Sequence, residues 1–298
     1  MSRNFMEMLR VRWGQGLFAC VGLDSALAKI PEAARQSGNE TDFDVANTMT
    51  HFNKQIVNAT RSTVCAFKPN MAFYRAQGLS GANALFRTTH HILSLPEQVP
   101  VIIDAKDADV DNTNEGYVED VFDHLCADAV TVHPYLGGKA LKPFLDRADK
   151  GIIVLCRTSN KGAGEFQDRS VAITDEEAEK WDLPQGTTMP MYQLVAYRVS
   201  REWNTAGNCA LVVGATYPDE LREVRRIVGN MPILIPGIGA QGGDLEKTVS
   251  AGKDSNNAGM IVNSSRGIIF ASSGEDYAEA AARETDKLSK DIRTALAA

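Results

Sequence analysis

Eight short runs of apolar, largely β-branched residues punctuate the chain at fairly even spacing: residues 17–22, 64–68, 101–104, 129–133, 152–156, 210–214, 233–236 and 260–263. Each is nearly continuous in apolar character, the mark of parallel strands covered on both faces. Between and after them, residues 43–61, 83–95, 112–125, 139–148, 191–203, 218–228, 245–251 and 277–296 carry helical spacing. Several of these have start signals: Asp42 before Phe43, Asn112 with Glu115 three residues on, and Pro218 followed by Asp219 and Glu220. Eight strands alternating with eight helices predict an α/β fold, a (β/α)8 TIM barrel. A six-stranded doubly wound sheet would leave two strand–helix units unexplained. No Pro/Gly/Ser-rich linker divides the sequence, so residues 1–298 read as a single catalytic domain.

Composition narrows the class. At 298 residues and 44% hydrophobic, the chain can bury a large core, and it contains no low-complexity tract. No apolar run approaches ~18 residues, which predicts no membrane span, and residues 1–16 mix Arg, Glu and Asn in a way unlike a secretion signal. A net charge of −7 argues against nucleic acid or an anionic membrane as partner, yet allows a small anion in a locally basic pocket. The five cysteines are scattered and form no Cys-x-x-Cys pair, which suits reduced thiols in a cytoplasmic protein. Neither they nor the five histidines show metal-ligand spacing, so no metal is expected.

In such barrels the active site lies at the carboxyl ends of the strands. Here those ends read Gly22-Leu23-Asp24, Phe67-Lys68-Pro69, Asp104-Ala105-Lys106, His133-Pro134, Cys156-Arg157-Thr158-Ser159, Gly214-Ala215-Thr216, Pro236-Gly237-Ile238-Gly239 and Asn263-Ser264-Ser265-Arg266-Gly267. The sharpest signal is Asp104-x-Lys106-x-x-Asp109 directly after an apolar strand. Residues two apart on an extended segment face one side, so Asp104 and Lys106 can both point into a barrel mouth and keep each other ionised. A surface ion pair is the plainer alternative. Lys68 is a rim lysine, a Schiff-base lysine with a depressed pKa, or a charged partner for Asp104. Asp24 either binds hydroxyl groups or caps a following turn. His133 is a general base or a strand-end histidine with a structural hydrogen bond.

Residues 236–244 form a glycine-rich loop opening a helix, a setting in which freed backbone N–H groups bind phosphate. Gly239, Gly242 and Gly243 would make that loop, and Arg266 after the eighth strand adds a guanidinium that can clamp a phosphate through two N–H bonds. A dinucleotide fingerprint belongs at the first strand–helix turn, not the seventh, so Gly237-x-Gly239-x-x-Gly242 is not read that way. The segment 158–190 exceeds an ordinary connection and reads as a binding loop or lid. Ser159 has no hydrolase signature around it and is a substrate contact or an ordinary loop serine.

Taken together, Val21-Gly22-Leu23-Asp24, Phe67-Lys68-Pro69-Asn70, Asp104-Ala105-Lys106-x-x-Asp109, Arg157-Thr158-Ser159-Asn160, Pro236-Gly237-Ile238-Gly239-Ala240-Gln241-Gly242-Gly243 and Ser265-Arg266-Gly267 resemble the orotidine 5′-phosphate decarboxylases, in particular their longer bacterial type. The resemblance runs in order from the first strand to the eighth. It implies a homodimer that converts orotidine 5′-phosphate to UMP and carbon dioxide without a cofactor. Lys68, Asp104, Lys106 and Asp109 would form the catalytic array, with Asp109 reaching into the neighbouring protomer's site and Val110 and Thr113 crossing with it. By the same analogy Asp24 would hold the ribose, Ser159 the pyrimidine, and Gln241 with Arg266 the phosphate. There are two departures from the longer type, which usually has Arg-Gly where this chain has Asp107-Ala108, and Pro where it has Lys161. Asp107 adds a negative charge beside the array.

Loss of CO2 from C6 of the orotate ring leaves a vinyl carbanion, and a fixed ammonium at that carbon can stabilise the charge and then deliver a proton. Lys106 is the candidate. Two other functions fit the same barrel. A sugar-phosphate decarboxylase or aldolase would need magnesium or form a borohydride-trappable adduct on Lys68. A silent nucleotide-phosphate sensor would bind UMP without turnover.

Overall fold

The computed structural model describes residues 3–35, 42–238 and 244–297. Ten strands occur among them: β1 (Ala19–Leu23), β2 (Ala66–Pro69), β3 (Ile102–Ile103), β4 (Ala129–Val132), β5 (Gly151–Arg157), β6 (Ser170–Ala172), β7 (Thr188–Pro190), β8 (Cys209–Val213), β9 (Ile233–Pro236) and β10 (Met260–Ser264). Eight are parallel and hydrogen-bonded in the order β2-β1-β10-β9-β8-β5-β4-β3. The two end strands meet through isolated bridges, Phe67 with Val101 and Asn70 with Asp104, so the sheet returns on itself as a (β/α)8 barrel. Each predicted apolar run supplies one of these eight strands, displaced by a residue or two at the ends.

Several elements were not predicted. β6 and β7 pair antiparallel within the segment 158–190, and only Met189 of their residues is buried, so no apolar run announced them. At the other end of the barrel, helix Phe5–Gly14 drives Phe5 and Leu9 into the interior against Cys20, Ala66, Ile102, Ala129, Ile153, Ala210 and Ile261. Gly151 makes room for the Phe5 ring, where any Cβ would collide with it. Asn4 starts the helix by accepting from the Glu7 N–H at 3.1 Å. Buried Arg12 ties the helix to the barrel by donating to the carbonyls of Val64 and Arg61.

The outer layer follows the predicted helices with instructive departures. Helix Pro218–Val228 starts on its proline, as expected. Helix Asp42–Thr60 begins on the residue expected to cap it. Asn112 does not cap: the helix starts at Asp111, and it is Asn114 that accepts from the Asp109 N–H at 2.8 Å. Residues 139–148 split into Gly137–Ala140 and Lys142–Leu145, because Pro143 lacks the N–H that a continuous helix needs. Among the described residues no helix is long and apolar enough to cross a membrane.

Candidate active site

A cavity of about 510 Å3 opens among the carboxyl ends of the strands. Asp24, Lys68, Asp104, Lys106, Ser159 and Arg266 all line it, from five different strand ends. Asp109, Val110 and Thr113 do not line the cavity of their own chain. Gly239, Gln241, Gly242 and Gly243 lie outside the described residues, although Pro236, Gly237 and Ile238 bring the chain to the cavity wall just before them.

Lys68 enters from the end of β2, 4% exposed, and its Nζ donates to Asp104 Oδ2 at 2.6 Å. Asp24 Oδ1 stands 4.0 Å from the same ammonium. Lys106 donates to Asp104 Oδ1, so one carboxylate is shared by two ammonium groups. Thr131, from β4, also donates to Asp104 Oδ1 at 3.1 Å and accepts the Lys106 backbone N–H at 3.0 Å. Burial alone would raise the Asp104 pKa; the charges of Lys68 and Lys106, with their hydrogen bonds, outweigh it and hold the carboxyl well below its ordinary value. Burial alone would likewise lower the Lys68 pKa, but attraction to Asp104 and Asp24 raises it above the ordinary value. A raised pKa is the opposite of what a Schiff-base lysine needs, and the contact with Asp104 fits the charged-partner alternative. Asp24 is not a cap either: the turn Leu27–Lys29 has no side-chain cap, and Asp24 Oδ1 is buried without a hydrogen bond.

The reason given by strand alternation for pairing Asp104 with Lys106 does not hold. β3 ends at Ile103, and Lys106 has φ +57°, in the left-handed region. The flexible lysine stem, not the pleat, brings the charges together. Beyond it Asp109 is fixed by Asn114, whose amide donates to the Asp109 carbonyl at 2.7 Å. Val110 is 52% exposed there, and Tyr135 and Leu136 lie exposed on the loop after the adjoining strand β4.

Ser159 is positioned from two sides. A Cβ on Gly214 would come within 3.0 Å of the Ser159 backbone, so only glycine lets the end of β8 approach so closely. Next to it, buried Arg157 pairs with Asp168 at 2.9 Å, donates to the Thr158 carbonyl, and lies 3.9 Å over the Tyr217 ring. Gln167, also on the cavity wall, accepts the Thr158 N–H at 2.8 Å. His133 does not line the cavity and its Nδ1 accepts from the Tyr135 N–H, which fits the structural alternative. Arg266 makes no ion pair among the described residues and faces the cavity with its guanidinium unspent.

Sequence reading gave no role to Thr131, Gln167, Asn70 and Asn263, which also line the cavity. Thr131 and Asn263 carried a usable signal, a polar side chain inside an otherwise apolar strand; Gln167 carried none.

Residues 20–282 match the family model described as Orotidine 5'-phosphate decarboxylase / HUMPS family. The chain is similar to the orotidine 5'-phosphate decarboxylase of Janthinobacterium sp. (strain Marseille), 43% identical over 279 residues that cover 93% of this chain and 94% of the relative. Among solved structures it is similar to Leishmania donovani OMP decarboxylase, with TM-score 0.75 and 31% identity over 96% of this chain and 99% of that one. It also matches Leishmania donovani UMP synthase, with TM-score 0.77 and 33% identity; the match covers 97% of this chain and 57% of the synthase.

Proposed function

This chain belongs to the orotidine 5'-phosphate decarboxylase / HUMPS family, and we propose that it converts orotidine 5′-phosphate to UMP and carbon dioxide in pyrimidine biosynthesis, with Lys106 delivering the proton. The observation that carries the reading is one buried carboxylate, Asp104, held between two ammonium groups at the floor of a cavity. In the chemistry we propose, the bond from C6 to the carboxylate breaks and its electron pair stays on C6. The Lys106 ammonium stabilises that charge and then transfers a proton to the carbon. Asp104 stands near the departing carboxylate, and Lys68 fixes Asp104. Asp24 meets the ribose and Ser159 the pyrimidine. Arg266, with Gln241 and the loop of Gly239, Gly242 and Gly243, takes the phosphate, whose binding energy is available to hold the site closed. The protein's own groups supply every step, so no cofactor enters.

The site is completed in a homodimer. Asp109, Val110 and Thr113 follow Lys106 in the chain without lining the cavity, and Val110, Tyr135 and Leu136 are apolar side chains left in solvent after the paired strands β3 and β4. A second copy covering those side chains carries its Asp109 to Lys106. Four buried free cysteines suit a cytoplasmic enzyme.

The test is an absorbance assay of orotidine 5′-phosphate consumption with and without chelator. Turnover is expected in both, and Lys106→Ala should lose on the order of 10³-fold or more in kcat. Full activity in that variant would end the assignment. Turnover that requires magnesium would favour a sugar-phosphate enzyme.

A further inference from the structure

Lys106 has a flexible stem and a backbone in the left-handed region, so something must hold its Cα in place. Residues 105–109 have no regular structure. Thr131 holds this stretch near its start, through the Lys106 N–H, and Asn114 holds it at its end, through Asp109. Between them Asp107 accepts two hydrogen bonds from one guanidinium, at 2.7 Å from Arg75 Nη2 and 3.3 Å from Nη1. Arg75 closes helix Met71–Arg75, which Asn70 caps immediately after the strand bearing Lys68, and the Met71 N–H donates to the Asp104 carbonyl at 3.2 Å. The fork therefore joins the unit that carries Lys68 to the loop that carries Lys106.

We propose that Arg75 and Asp107 are a positioning pair for Lys106, a role that rests on the decarboxylase reading of the site. Two parallel N–H···O bonds fix direction as well as distance, which a single lysine contact would not. They hold the Lys106 backbone where its ammonium meets Asp104, and they neutralise a carboxylate one residue away from the proton donor. Arg75 stands in solvent while Asp107 is half-buried, and an ion pair with one partner in solvent ordinarily contributes little to global stability. A positioning pair acts instead on kcat, because small displacements of a reacting group are costly.

The test compares Arg75→Gln, Asp107→Asn and the double variant with the unsubstituted chain. In each, kcat for orotidine 5′-phosphate is expected to fall about fivefold, with KM within about twofold and the thermal midpoint within about 2 °C. The double variant should lose no more than the worse single one. Amide hydrogen exchange over residues 104–110 should quicken several-fold in all three. A kcat within twofold of the unsubstituted chain, exchange that does not change, or losses that multiply in the double variant would overturn the proposal. Absence of turnover in the unsubstituted chain would instead sink the decarboxylase reading, and the exchange result alone would then decide the role of the pair.

Discussion

Asp104 concentrates the physics of the site in one carboxylate, which accepts from Lys68, Lys106 and Thr131 while nearly out of solvent. Its pKa is depressed below the ordinary 3.8, so the stability it contributes is complete above that value and is lost as pH falls through the folded-state pKa. Lys68 is raised above the ordinary 10.5, so its contribution is complete below that value and is lost as pH rises through the folded-state pKa. Between these limits the pair's contribution is flat. Asp104→Asn leaves a buried ammonium short of its main partner and is expected to cost about 3 kcal/mol. Urea unfolding should show that deficit unchanged from about pH 5 to 9, narrowing in acid as the native carboxyl protonates and in strong alkali as the native ammonium loses its proton. A deficit that varies steeply across neutral pH would contradict the assignment of these charges. At this scale the sequence was informative about which residues matter: each cavity charge stands at the end of an apolar run or within three residues of it. It was silent on how they touch, because the left-handed turn at Lys106 leaves no compositional trace in a lysine.

Among elements, legibility tracked burial. The eight barrel strands are apolar throughout because both faces are covered, and that pattern needs no context to recognise. β6 and β7 escaped notice because a short solvent-facing ribbon has no such pattern. Helix Phe5–Gly14 escaped because its buried positions, Phe5, Met8, Leu9 and Arg12, include a charged residue. The insertion between β5 and β8 is pinned by Arg157, which pairs with Asp168 and stacks on Tyr217. Replacing it by glutamine removes the stack and the fork together. Arg157→Gln is therefore expected to raise KM about tenfold, through displacement of Ser159, and to expose residues 160–190 to limited proteolysis. Unchanged proteolysis and unchanged KM would show that the insertion is held elsewhere.

For the molecule as a whole, the barrel was legible in the order of its elements, but the second copy proposed to complete the site would leave no local pattern beyond an exposed Val110. Shared sites make a quantitative prediction. Lys106→Ala and Asp109→Ala chains, each inactive alone, should recover about a quarter of native activity when unfolded and refolded together, since half the dimers are hybrids with one intact site. No recovery would place Asp109 outside its neighbour's chemistry. The wall of the barrel gives a last consequence. β2 and β3 meet through two isolated bridges, and Lys68 reaches across that gap to Asp104. The lysine and aspartate thus add a side-chain bond where the two ends of the sheet meet, so loss of either is expected to loosen that closing seam as well as impair the proposed chemistry.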